Sequence, residues 1–136
     1  MSLSAALHAR MVADAPLVAL LASYDGQPAV FTVDPPPDNA RLPYVITPGA
    51  LATNPFDTKD LRGRELYQDI RCYTARTGST VLVEDIADRV RWLFHRRPLV
   101  VDGQPSLLTS VTGPRVATSD DAYGRLLTVR VVLDPA

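Results

Sequence analysis

Between Gly78 and Pro98 the chain carries a helix with one dry face, and the rest of the fold must be arranged to cover it. Gly78-Ser79-Thr80 offers cap residues for a helix over roughly Val81 to Arg96. Glu84, Asp85 and Asp88 come early, and Arg89, Arg91, His95, Arg96 and Arg97 come late, an order that complements the helix dipole. At about 100° per residue, Leu82, Ile86, Val90 and Leu93 fall within a narrow arc, with Val83, Ala87 and Phe94 on its flank. A stripe of that width needs a sheet beneath it, and Pro98 stops the helix.

Two segments alternate as half-buried strands do. From Arg64 to Thr74, Leu66, Gln68, Ile70, Cys72 and Thr74 share one face, expected inward, and Glu65, Tyr67, Asp69, Arg71 and Tyr73 share the other, expected outward. From Arg125 to Leu133, Leu127, Val129, Val131 and Leu133 alternate with Leu126, Thr128, Arg130 and Val132. A looser strand over Ser106 to Val116 and a turn over Thr118 to Gly124 lead into it. Upstream, Val30 to Val33 is a short β-prone piece, ended by the loop Asp34-Pro35-Pro36-Pro37-Asp38-Asn39. Pro43 to Thr47 reads as a strand, the stretch from Pro48 to Asp57 as irregular, and Thr58 to Gly63 as a hairpin tip or loop. The N-terminus reads as a helix with Leu3, Leu7 and Met11 on one stripe, capped by Ser2 or Ser4. A second helical segment, started by Asp14 and Pro16, ends at Asp25-Gly26. The order helix, hairpin, helix, hairpin predicts an α+β fold: a mainly antiparallel sheet of about four strands with helices on one face, in a single domain over residues 1–136.

Composition removes several function classes. The 14 cations, of which only Lys59 is a lysine, face 15 acids for a net charge of -1, so no basic surplus points to nucleic acid. Cys72 is the only cysteine, which leaves no internal disulfide and no thiolate metal cluster. The longest apolar run, Ala15 to Ala22, falls well short of the roughly 20 residues a membrane span needs, and the N-terminus reads as part of the fold rather than a secretory signal.

No phosphate-cradling glycine loop, nucleophile elbow or metal-ligand spacing is present. His8 and His95 each sit on a predicted helix without a second histidine at helical spacing, and His95 reads as a cation-compatible group at a helix end. Cys72 faces inward, where a thiol acts as a small apolar side chain. The carboxylate pairs Glu84/Asp88 and Asp120/Asp121 lie at a helix start and in a turn, where capping and solvation explain them. Asp85 with Arg89 and Asp88 with Arg91 stand at salt-bridge spacing, so the basic group reads as a solvated helix face. No catalytic residue, cofactor or metal site is expected.

Trp92 carries more information. It projects about 120° from Ile86, the centre of the apolar arc, and so should be partly exposed. Either its ring folds over a neighbouring loop or sheet edge, or it anchors a protein interface, where Trp, Tyr and Arg are enriched. Tyr67, Arg71 and Tyr73 on the outer strand face allow the same second reading.

Several short motifs, in order, resemble one family. Leu42-Pro43-Tyr44-Val45-Ile46, Phe56-Asp57-Thr58-Lys59, Gly63-Arg64-Glu65, Ile86-Ala87-Asp88-Arg89-Val90, Pro98-Leu99 to Asp102-Gly103, and Tyr123-Gly124-Arg125 together are similar to the phage tail-completion, or tail-terminator, family, which also occurs in gene transfer agents. The family's Trp-Asp-Thr-Lys pattern stands here as Phe56-Asp57-Thr58-Lys59. The resemblance implies a non-catalytic α+β subunit that forms a ring, typically hexameric, on the head-proximal end of a tail tube. Such a ring stops tube growth, presents a surface to the head connector and lets DNA pass without gripping it. It implies a component of a virion or gene-transfer-agent particle, assembled in the bacterial cytoplasm. The loop from Asn54 to Gly63, with Phe56, Asp57 and Lys59, and the turn from Thr118 to Gly124, with Asp120 and Tyr123, are then the expected contacts to tube or connector. A stand-alone nucleic-acid or regulatory binding domain, or a small enzyme, are the competing readings.

Overall fold

The computed structural model describes residues 2–47, 50–57, 62–119 and 121–133. Helices α1 (Leu3–Val12) and α2 (Ala15–Val18) come first, followed by a two-residue ribbon of β1 (Ser23–Tyr24) and β2 (Gln27–Pro28). Strands β3 (Val30–Phe31), β4 (Tyr44–Ile46), β5 (Ala50–Asp57) and β6 (Arg62–Ala75) precede helix α3 (Val81–Phe94). Strands β7 (Val100–Val101), β8 (Gln104–Val116) and β9 (Ala122–Leu133) follow it. The main sheet runs β3-β4-β6-β9-β8-β7, and β5 pairs with β6 off that path.

This corrects the expected fold class. The chain is strand-dominated, and its curled sheet is mixed, with more strands than the expected four and a different order from helix, hairpin, helix, hairpin. Three causes account for the difference. Strands β3 and β4 pair in parallel, Val30 with Val45 and Phe31 with Ile46, because the proline run between them makes a long crossover instead of a hairpin turn. The stretch read as irregular is in part β5, which pairs with β6 from Asp57↔Arg62 to Ala50↔Gln68 through one irregularity in register. Its Pro55 is tolerated because β5 is an edge strand, where a missing N–H need not break a ladder. Finally, β4 and β5 take the same edge of β6 in succession, β4 against Arg71–Tyr73 and β5 against Arg62–Gln68.

Helix α3 packs against β6, β8 and β9, and α1 against β3, β7 and α3. The inward residues of the two alternating strands are all buried: Leu66, Gln68, Ile70, Cys72 and Thr74 on β6, and Leu127, Val129, Val131 and Leu133 on β9. Burial pushes the Cys72 thiol up to about 12, so it stays protonated and behaves as an apolar group. The buried face of α3 consists of Val83, Ile86, Ala87, Val90, Leu93 and Phe94. Leu82, placed within the arc by periodicity, is 38% exposed, so the helix is turned toward what had been its flank. Each fully buried aliphatic or aromatic side chain here contributes roughly 1.5–3 kcal/mol.

Asp14 ties the helices together. Its carboxylate accepts from the Leu17 N–H, capping α2, and from Nε and Nη2 of Arg89, both at 2.8 Å. The Arg89 guanidinium holds this carboxyl below the usual aspartate range. Arg89 therefore turns to a residue 75 positions away, not to Asp85 one helical turn back.

Candidate functional site

On the outer strand face Glu65, Tyr67, Arg71 and Tyr73 are partly exposed, whereas Asp69, expected outward with them, and Val132 are buried. Arg130, which faces Tyr67 across the β6–β9 ladder, donates to Glu65 Oε2 from Nε at 3.1 Å and from Nη2 at 2.6 Å. Glu65, and to a lesser degree Tyr67, raises the Arg130 guanidinium above the ordinary arginine value. One rung further, Thr128 Oγ1 donates to Asp69 Oδ1 at 2.8 Å. Arg71 reaches Asp34 at 3.4 Å.

Tyr73 begins an aromatic run. Its ring centre lies 5.7 Å from that of Tyr44, which contacts Phe31 at 5.9 Å, and Phe31 meets Tyr24 edge-on at 5.3 Å. Tyr67, Arg71 and Tyr73 thus share one partly exposed surface whose side chains are held by cross-strand partners. Fixed rotamers lose little freedom when a partner docks.

Trp92 lies elsewhere, on the far side of α3 from the sheet, and is 50% exposed. Arg89 and Arg97 lie over its ring at 3.9 and 3.7 Å from the centroid. Two guanidiniums that close must take opposite faces of the ring, and Arg97 Nε also donates to the Trp92 carbonyl. The ring is therefore clamped upright and its edge remains in water.

Tyr123 belongs to neither surface. It pairs with Thr74 on the helix side of the sheet, packs against the core, and accepts the Gly78 N–H at 3.1 Å. Phe56 and Asp57 end β5 opposite Gly63 and Arg62, next to the hairpin tip. Lys59 and Asp120 lie outside the described residues.

The ladder separates the two candidate loops. The β5–β6 tip adjoins Arg62, whereas the turn before β9 adjoins Ala75, which pairs with Ala122. The length of β6, up to roughly 40 Å of strand, lies between them.

The end of α3 is tied to the sheet by contacts that periodicity does not reveal. Arg96 N–H donates to Thr109 O, Val111 N–H donates to His95 Nδ1 at 3.0 Å, and Arg91 Nη1 donates to Val111 O at 2.6 Å. The helix end thereby occupies polar groups on the open edge of β8, where another strand could otherwise pair. The only sequence trace of this is the crowding of Arg91, His95 and Arg96 at one helix terminus. His95, read from the sequence as a cation-compatible group, accepts here as a neutral ring; burial, then the charges of Arg91 and Arg96, lower its pKa.

A folded pKa below the unfolded one means that this contribution is complete above about 6.5 and is lost as the pH falls through the lower folded value. The Val111 amide should accordingly lose protection against hydrogen exchange in mild acid, and His95→Ala should lose it at every pH. A Val111 amide protected equally in both proteins would show that His95 does not hold it.

Among the described residues, no cluster of three or more His, Cys, Asp or Glu side chains is placed to hold a metal ion. No helix among the described residues is long and apolar enough to cross a membrane.

The profile of a family described as tail completion protein gp17 matches residues 5–134. A chain from a solved structure, "Virion of native gene transfer agent (GTA) particle", superposes with a TM-score of 0.78 at 21% identity, covering 98% of this chain and 95% of that one. At that identity the likeness establishes a shared fold. No curated protein matches the sequence.

Proposed function

The chain belongs to the tail completion protein gp17 family, and on that premise we propose that it is a structural subunit of a phage or gene-transfer-agent tail. Copies assemble head to tail into a ring, typically hexameric, which caps the tail tube and joins it to the head connector. Assembly takes place in the bacterial cytoplasm, and the ring remains in the finished particle. The reading assigns the chain no catalysis.

One observation carries it: Asp57 and Arg62, which lie within one candidate contact segment, and Ala122, within the other, stand at opposite ends of β6. A joining ring must touch the tube on one side and the connector on the other, and a strand ladder with a candidate contact segment toward each end would supply both contacts without disturbing the core. The net charge of -1 suits an opening through which DNA passes without being held.

Electron microscopy of the purified protein, alone and mixed with tube subunits, tests the reading. Uniform rings, or tubes capped at one end, support it; isolated chains beside uncapped tubes overturn it. Replacing Asp57 and Lys59 together by alanine should leave circular dichroism and thermal unfolding unchanged while reducing the fraction of tails joined to heads. Unchanged joining would remove both residues from the contact.

A further inference from the structure

A ring built head to tail needs two different patches that fit each other. The sheet path starts at β3 and ends at β7, and the surfaces beside these two end strands differ in chemistry. On the β7 flank, Arg96, Arg97, Pro98 and Leu107 border a cleft of about 400 Å³. A second cleft of about 560 Å³ continues from Arg96, Arg97 and Pro98 along Trp92, where Arg91 and the two arginines outnumber the single acid, Asp88. Leu107 is 57% exposed beside it. Arg97 adds to burial in lowering the pKa of Arg10, a sign that positive charge here is crowded.

On the β3 flank, Val33 is 52% exposed and leads into Asp34-Pro35-Pro36-Pro37-Asp38, a run with an exposed acid at each end. Arg71 holds Asp34. The proline rings fix φ, so this segment has little freedom left to lose on binding.

We propose that the acidic proline run of one copy docks in the Trp92–Arg97 cleft of the next, with Asp38 on the arginines and the prolines against the Trp92 edge, Pro98 and Leu107. The inference rests on the ring reading and names the contact that closes the ring. Charge complementarity favours it, since the exposed Asp38 carboxylate meets Arg96 and Arg97 there. The phosphates of DNA are the other anion available. Against them, Arg10 and Arg97 already donate to the carbonyls of Leu93, Pro98 and Trp92, and the cleft is rimmed by exposed Leu107 where a backbone-tracking groove would carry further cations.

Two sets of variants test the contact. Cys72 is fully buried, so introduced cysteines report alone. Val33→Cys and Leu107→Cys chains, mixed under mild oxidation, should give a disulfide-linked pair that neither forms by itself, and the double variant should give a ladder. Arg97→Glu and Asp38→Lys should each raise the concentration for half-assembly at least tenfold by light scattering, and combining them should recover part of that loss. Rings that persist unchanged in both charge variants, with no mixed disulfide, overturn the docking and leave the ring standing. Intact Arg97→Glu rings with weakened salt-dependent binding to a DNA duplex overturn it in favour of nucleic acid. Wild-type chains that never form rings beside tube subunits overturn the ring reading, and the docking with it.

Discussion

Phe94→Ala should lower the unfolding free energy by about 3–5 kcal/mol, the usual range for emptying a buried phenylalanine site. Phe94 ends α3, is fully buried, and lies under the Arg10 guanidinium at 5.6 Å. Arg10 of α1 lies over its ring, and α3 packs on β6, β8 and β9, so the site has rigid elements around it and collapses poorly. With domain stabilities of roughly 5–15 kcal/mol, the loss is a large share of the total. Denaturant unfolding should show a lower midpoint with an unchanged slope. Leu82→Ala, on the exposed side of the same helix, should cost less than about 1 kcal/mol. A larger cost for Leu82 than for Phe94 would mean that α3 buries its other side.

That pair of residues also shows where sequence reading stops. Periodicity finds α3 and confines its dry side to an arc plus a flank, but Leu82 and Val83 are both apolar and one 100° step apart. Which of them goes inward is settled by the strands beneath. The alternation of β6 and β9 was legible because each is long and rests one face on the core, so a slip by one residue would expose the whole apolar set.

The short strands carried no such signal. Two residues in β3 and two in β7 contain no period, and β5 is held by backbone pairing to β6 despite its proline. The outer face was legible as a list of residues, Tyr67, Arg71 and Tyr73, but not as a network. The Glu65–Arg130 and Asp69–Thr128 contacts depend on a register between residues 59 or more positions apart. Tyr123 was misplaced for a related reason: read as part of a turn, it is the second residue of β9, and its partners Gly78 and Arg76 lie more than 40 residues away. The Asp14–Arg89 pair was hidden in the same way, because helical spacing offered Arg89 a nearer acid.

Gly124→Ala should be the most damaging small substitution on the outer face, costing about 3 kcal/mol, at the upper end for overpacking. A methyl at this position would stand 2.8 Å from Cε1 of Tyr73 and closer still to the carbonyl oxygen of Ala117. Tyr73 is the cross-strand partner of Gly124, so the ring lies over the glycine and continues into Tyr44 and Phe31. The backbone is equally committed, since Ala117 N–H donates to Gly124 O at 3.0 Å and Gly124 N–H donates to Thr118 Oγ1 at 3.3 Å. The melting temperature should fall by on the order of 10 °C. The two obstacles can be separated with Tyr73→Ala. If the ring were the only obstruction, Gly124→Ala added to Tyr73→Ala would cost almost nothing more. Because the Ala117 carbonyl belongs to the chain itself and cannot swing aside, the double variant should remain well below Tyr73→Ala alone. Recovery to that level would mean that the ring, and not the backbone, is what requires glycine at this position.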